Sequence, residues 1–217
     1  VKISKEVKAL IAEYKLNKGK IKGRLDDFKD LHKGKDEDIF RELAFCILTP
    51  QSKAVSCDKA IRQLKEKGLL LKGRSGEIGA NLKGMARFHN KKAVYLVKAR
   101  DLFTAGGRID VKSRIDPLNA RATREWLVEN IKGFGYKEAS HFLRNIGLGK
   151  DLAILDRHII KNLVRYNAID KVPPSIGSRK IYLEIEDKAR KFCRAVKIPL
   201  GELDLLFWSI ETGYIFK

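Results

Sequence analysis

An all-α fold is the expectation for this chain, and three features of the sequence predict it. Apolar residues recur at intervals of three and four, continuous apolar–polar alternation is absent, and Gly and Pro fall between segments of helical length. Val7, Leu10, Ile11 and Tyr14 lie on one face of a first helix. Ile39 to Leu48 is a strongly apolar second helix. Pro50 ends it or begins the next, which carries Val55 to Leu64 on one face. Gly73 to Gly84 is Gly-rich and is expected to be turn-like around a short apolar patch. A helix follows from about Asn90 to Phe103, closed by Gly106-Gly107. Asp116-Pro117 opens a connector before a helix over Thr123 to Asn130. After a Gly-punctuated turn come helices over Tyr136 to Ile146 and, past Gly147-Leu148-Gly149, over Leu155 to Tyr166. Pro173-Pro174 precedes a helix over Ile181 to Ala195, and Pro199 precedes the last, Gly201 to Thr212.

The chain has 217 residues, enough to bury a core without disulfide or metal staples. With 44% hydrophobic and 34% charged residues, its composition is globular and disfavours the disordered, collagenous and membrane classes. The longest apolar runs, such as Leu69 to Leu71, fall far short of the roughly 20 residues a membrane helix needs. No secretory signal is visible, and a chain beginning at Val1 is expected to have lost its initiator Met. Cys46, Cys57 and Cys193 suit a reducing compartment and match neither a CxxC zinc site nor an iron–sulfur loop. A cytoplasmic protein is expected.

Charge supplies the first functional clue. Lys+Arg number 46 against 27 Asp+Glu, a formal net charge of +19. A polyanionic partner follows, and nucleic acid is the commonest. A thermophile's charged surface is the competing explanation, but it would raise acids and bases together. The basic residues are spread through the helices rather than gathered in a tail, so the charge belongs to a folded surface.

The informative stretch is Ile131-Lys132-Gly133-Phe134-Gly135-Tyr136-Lys137, set between two helices. Gly133 and Gly135 permit a tight hairpin, with positive φ and close approach to another molecule. The helix after it presents free N–H groups suited to a phosphate, and Lys132 and Lys137 flank them. Such a helix-hairpin-helix grips a DNA strand without reading bases; plain punctuation between helices is the alternative. Nineteen residues beyond Lys137, Asp156 stands in Ile154-Leu155-Asp156-Arg157-His158 as the N-cap of the next helix.

On these residues the chain resembles the helix-hairpin-helix DNA glycosylases, whose motif joins the hairpin, a Lys opening its second helix, and a downstream Asp. Four stretches carry the resemblance further, to the type-2 8-oxoguanine DNA glycosylase/AP lyases. They are Phe45 to Lys53, Arg87 to Ala93, Gly133 to Asn145, and the tail Trp208 to Lys217. The resemblance covers essentially the whole chain. The four-cysteine cluster loop of endonuclease III relatives is missing, and the N-terminal β domain of type-1 enzymes is not expected.

The resemblance implies excision of 8-oxoguanine from double-stranded DNA. A base inside the stack must first be extruded into a pocket. Breaking its N-glycosidic bond builds positive charge on the sugar, which the carboxylate of Asp156 can stabilise. Lys137 can then capture C1′, provided its amine is neutral, which requires a pKa well below the usual value of about 10.4. The resulting Schiff base acidifies the 2′ proton and permits β-elimination of the 3′ phosphate. A surface lysine and an ordinary helix cap are the competing readings of Lys137 and Asp156.

The family also implies that Trp208 lines the base pocket and that Lys217 distinguishes 8-oxoguanine from guanine. An acceptor there rewards the N7–H of the lesion and repels the N7 lone pair of guanine; core packing and a frayed end are the alternatives. Met85 and Phe88 are candidates for the pocket wall, or else core. Gln51, Ser52 and Lys53 fall where related enzymes insert a polar side chain into the gap left by the flipped base. Gln51 is the candidate plug, with a loop or capping role as the alternative. Lys132, Gly133, Gly135 and His158 complete the candidate DNA contacts. His141, four residues beyond Lys137, suits packing or a DNA contact. His89, His141 and His158 lack metal spacing, and no cofactor or metal is expected.

Two helical subdomains with a cleft between them are therefore expected. Residues 38–150 form a helical barrel ending in the hairpin, and residues 1–37 join 151–217 in the second subdomain. Lys137 and Asp156 are expected to face each other, in a monomer whose DNA binding is salt-dependent. A non-catalytic hairpin module, or a glycosylase for an oxidised pyrimidine or a mismatched adenine, are the rival functions.

Overall fold

The computed structural model describes residues 4–217. The described residues form eleven α-helices and one minimal β-hairpin, so the all-α expectation holds. None of these helices is long and apolar enough to cross a membrane. The chain divides into two compact units, one of Leu31–Phe142 and one joining the segment up to Asp30 with Leu143–Lys217.

The central unit is built around α2 (Asp36–Leu48), whose last residues, Leu43 to Leu48, are all buried. A helix apolar on every side must be surrounded. Helices α3 (Ala54–Glu66) and α6 (His89–Leu102) pack on it. Between α3 and α6 come the short α4 (Leu69–Lys72) and α5 (Ser75–Leu82). The α5 helix corrects the turn-like reading of Gly73 to Gly84. Glycine costs about 1 kcal/mol in a helix interior, but Gly79 faces α6 so closely that a Cβ there would lie 2.9 Å from Asn90 Oδ1. Close helix packing, with Ile78 and Leu82 fully buried, overrides the local propensity. Glu77 adds a first-turn cap, its Oε2 accepting from the Arg74 N–H at 2.7 Å.

Gly106 and Gly107 also do more than close a helix. They turn the hairpin of β1 (Thr104–Ala105) and β2 (Arg108–Ile109), where Thr104 pairs with Ile109. Their φ values of 56° and 77° suit a two-residue turn that glycine adopts without steric cost. Helix α7 (Ala120–Asn130) follows, started by the Asn119 side chain accepting from the Ala122 N–H. Helix α8 (Tyr136–Asn145) begins in this unit.

In the other unit, α1 (Lys5–Lys33) is much longer than the first apolar stripe suggested, and it buries Val7, Leu10, Tyr14, Ile21 and Phe28. Three further helices complete the unit: α9 (Arg157–Arg165), α10 (Arg179–Val196) and α11 (Leu200–Thr212). Tyr166 holds the aromatic core together, its ring stacked 5.5 Å from Phe207 and 6.3 Å from Phe192. The buried Arg144 pairs with Asp204 at 3.1 Å and lies over the Phe28 ring.

Candidate functional site

In the central unit, α7 leads through Ile131 into the hairpin. Phe134 is buried against Phe142, with ring centroids 6.5 Å apart, and this anchors the turn from beneath. Only Gly133 has a positive φ, 90°; Gly135 does not, so the expected freedom is used at one glycine of the two. Lys132 and Gly133 are exposed. The Gly135 N–H donates to Glu138 Oε2 at 3.2 Å, so the protein's own carboxylate occupies one of the donors a phosphate would use.

Lys137 is the second residue of α8. Its side chain is only 20% exposed, and Nζ lies 3.7 Å from Glu138 Oε1. The rest of this turn is tied down: Tyr136 donates its hydroxyl to Glu125, and the Arg124 guanidinium lies 5.5 Å from the Tyr136 ring centroid. Behind Lys137 stands Cys57, whose thiol is pushed up to about 11 by burial, with Lys92 and Lys137 pulling the other way. Such a thiol is a packing group rather than a nucleophile. His141 is buried with its ring edge-on to Phe45 at 5.7 Å, a packing arrangement.

The loops before α3 and before α6 hold the next candidates. Gln51 and Phe88 have φ of 55° and 57°, a conformation that side chains other than glycine seldom adopt. Both are exposed, Phe88 by 54%, and the Arg87 guanidinium lies 5.4 Å from the Phe88 ring centroid. Met85 is half-buried, and the exposed Lys53 occupies the N-cap position of α3 with extended backbone. The Ser52 hydroxyl is committed within the protein, accepting from the Arg87 N–H at 3.0 Å and from Lys92 Nζ at 2.9 Å.

In the other unit, Asp156 caps α9 as expected. Its Oδ1 accepts from the N–H groups of His158 and Ile159, both at 2.8 Å. The extended segment before it is held by α10. Tyr182 donates its hydroxyl to the Ala153 carbonyl at 2.7 Å and accepts from the Leu155 N–H, and Glu186 accepts from the Ala153 N–H. His158 packs edge-on to Trp208, which in turn meets Tyr214 edge-on at 5.9 Å. Both His158 and Trp208 are half-buried, and so is Lys217. The tail before Lys217 is fastened by Arg24, whose Nε donates to the Phe216 carbonyl at 2.7 Å.

Among the described residues no three His, Cys, Asp or Glu side chains gather as metal ligands would. Sequence reasoning does not single out Lys92 or Glu138. A signal for Lys92 exists: it lies four residues before Leu96 on the stripe of α6 that also buries Ala93 and Ala99.

The family model described as 8-oxoguanine DNA glycosylase matches residues 21–198. The chain belongs to this family. Among its fellow members, an 8-oxoguanine DNA glycosylase/AP lyase of Fusobacterium nucleatum subsp. nucleatum is 48% identical over 206 residues, 94% of each chain. The crystal structure of the Methanocaldococcus jannaschii 8-oxoguanine DNA glycosylase is similar at a TM-score of 0.84 and 38% identity, covering 97% of this chain and 95% of that one. A second structure, of the Methanocaldococcus jannaschii 8-oxoguanine glycosylase/lyase with a 15mer DNA containing 8-oxoguanine, is similar at 0.82 and 36%, covering 96% and 100%. The family resemblance drawn from the hairpin and the four flanking stretches is borne out, and with it the helix-hairpin-helix fold.

Proposed function

We propose that this protein excises 8-oxoguanine from DNA and then cleaves the strand at the abasic site, with Lys137 as nucleophile and Asp156 as its electrostatic partner. The observation that carries the reading is near-full-length identity of 48% to a protein named 8-oxoguanine DNA glycosylase/AP lyase. The position of Lys137, at the start of the helix after the hairpin, supports its role.

The nitrogen lone pair of Lys137 attacks C1′, and the glycosidic bond breaks with its electron pair on the departing base, which takes up a proton released from the attacking amine. Asp156 offers Oδ2 to the positive charge that grows on the sugar, while Oδ1 holds the helix cap. The amine then loses its remaining proton as the sugar ring opens to the imine. Removal of the 2′ proton sends its electron pair into a C2′–C3′ double bond, and the 3′ phosphate leaves with the electrons of the C3′–O bond.

Phe88 and Trp208 offer faces for the flipped base, Met85 lines its edge, and Lys217 discriminates at N7. Gln51 fills the vacated stack, while Lys53, Lys132, His158 and the hairpin at Gly133 and Gly135 contact the backbone. A phosphate arriving at Gly135 displaces Glu138 from that N–H. The protein acts as a monomer, and its helical subdomain of residues 38–150 carries the hairpin and both loops. Borohydride trapping on 8-oxoguanine DNA tests the assignment. Wild type is expected to cross-link and Lys137→Gln to fail; a Lys137→Gln protein that still cross-links removes Lys137 from the role.

A further inference from the structure

Lys92 is a buried charge to which the proposed reaction gives no task. Lys92 is 5% exposed, and its ammonium is wholly inside the protein's own hydrogen bonding. Its three donors meet three acceptors: the Leu48 carbonyl at 2.6 Å, the Pro50 carbonyl at 2.7 Å and Ser52 Oγ at 2.9 Å. None of these is a carboxylate. Burial lowers its pKa from the ordinary 10.5, and the neighbouring charges of Arg87 and Lys137 act in the same direction, against Cys57 and Glu138. A buried ammonium is costly, and full satisfaction by fixed dipoles is the condition under which a fold tolerates it.

Those three acceptors all belong to the end of α2 and the loop beyond it. The carbonyls of Leu48 and Pro50 flank Thr49, and Ser52 follows Gln51 directly. A cation at the last carbonyls of a helix also complements its dipole. Lys92 therefore fastens both sides of the residue that carries φ of 55°. Through Ser52 the same network reaches the second loop. Ser52 Oγ accepts from Lys92 and from the Arg87 N–H and directs its proton toward the Pro50 carbonyl at 3.4 Å. One hydroxyl offers two lone pairs and one proton, so all its capacity is used. The Arg87 N–H immediately precedes Phe88, the other exposed residue in the left-handed region. Left-handed backbone at Gln and Phe costs of order 1–3 kcal/mol at each position and persists only where the surroundings enforce it.

We infer that Lys92 and Ser52 form a buried clip that holds Gln51 and Phe88 together in the geometry needed to extrude and receive a damaged base. The inference rests on the proposed roles of those two exposed residues. Lys92 and Ser52 are positioning residues and touch no substrate. Their work belongs to base extrusion, not to the amine chemistry at C1′.

Two reactions separate these steps. Single-turnover excision from an 8-oxoguanine duplex needs extrusion, whereas borohydride trapping on a single-stranded oligonucleotide with a preformed abasic site does not. Ser52→Ala removes the bridge between the loops, and Lys92→Met removes the ammonium while keeping the length of the side chain. Both are expected to slow excision by about ten- to a hundredfold, the cost of a small displacement outside the chemistry, and to leave trapping within about twofold. Gln51→Ala and Phe88→Ala, measured alongside, are expected to slow excision as well, because they remove the groups that the clip positions. Equal loss in both reactions would mean general damage to the fold and overturns the clip. Normal excision by Ser52→Ala, with Gln51→Ala and Phe88→Ala impaired, overturns it too but leaves the loop roles standing. Normal excision by all four variants removes the loop roles and the clip together. Should Lys92→Met not fold, Ser52→Ala alone decides.

Discussion

Tyr95 packs against the bare α-carbon of Gly133: a Cβ at that position would come within 2.6 Å of the tyrosine Cδ2 and 2.9 Å of Cε2. The glycine at the tip of the hairpin is thus required twice, by a φ of 90° and by the aromatic ring beneath it. Gly135 faces neither demand. Its φ is not positive, and its nearest neighbour for a Cβ is Glu138 Oε2 at 3.4 Å.

The two glycines should therefore respond differently to alanine. Gly133→Ala is expected to destabilise the protein by about 1–3 kcal/mol from backbone strain, with the Tyr95 clash adding to it. DNA affinity should fall at the same time because the hairpin must rearrange. Gly135→Ala should be milder in stability. Urea unfolding and titration of labelled duplex measure both effects, and equal losses in the two variants would contradict the asymmetry.

Asp156 combines a cap and a charge, and the two can be taken apart. Asparagine keeps an oxygen for the N–H groups of His158 and Ile159, now at 2.8 Å from Oδ1, while removing the negative charge. Asp156→Asn should hold stability close to wild type, whereas Asp156→Ala should lose about 1 kcal/mol with the cap. Base excision should fall steeply in both. Excision that survives in the asparagine variant would show that Asp156 serves only to start α9.

Periodicity made most of the helices legible because each buries a stripe against a partner. It failed where tertiary contact overrode local preference. Gly76 and Gly79 read as a turn, yet α5 forms because Gly79 lets it close on α6. Gly106 and Gly107 read as a stop signal, yet a pair of two-residue strands is too short to leave any alternating pattern. In the candidate site, Lys137 and Asp156 stood out through their motif, and the Asp156 cap formed as expected. The contacts that hold the site were hidden. Lys92 is one lysine among many until its helical stripe is seen buried, and the Glu138 contact to Gly135 N–H depends on the turn geometry.

Glu211 provides a pH-dependent fastening between α11 and α9. Its carboxylate accepts from Lys161 Nζ at 3.0 Å and from Asn162 Nδ2 at 3.1 Å. These hydrogen bonds, chiefly that of Lys161, hold its pKa below the ordinary 4.5. A lowered folded-state value means that the stabilisation is fully present above 4.5 and is lost as pH falls through the lowered value. Glu211→Gln should remove that contribution, lowering stability modestly at neutral pH, because the Lys161 partner is largely exposed, and converging on wild type in acid, so that the acid limb is flatter. Denaturant midpoints at a series of acid pH values supply the comparison; parallel curves would assign the acid limb to other carboxylates.

The pair of Arg144 and Asp204 should behave in the opposite sense. Both side chains are buried, and the guanidinium lies 3.1 Å from Asp204 Oδ2. Burial pushes the Asp204 carboxyl up, Arg144 pulls it down, and Asp156 adds a smaller upward push. Arg144→Met removes the compensating charge and should cost about 3–5 kcal/mol at neutral pH, because a carboxylate is left buried without its partner. Joint replacement, Arg144→Met with Asp204→Leu, should recover much of that loss, since apolar groups need no compensation. The pH dependence gives a second check. Without Arg144 the folded-state value rises further above that of the unfolded chain, so the penalty is absent below the unfolded value and grows as pH rises through it. The Arg144→Met deficit should accordingly shrink in acid, as measured by urea unfolding. A deficit of constant size from acid to neutral pH would mean that lost packing on the Phe28 ring, not the stranded charge, sets the cost.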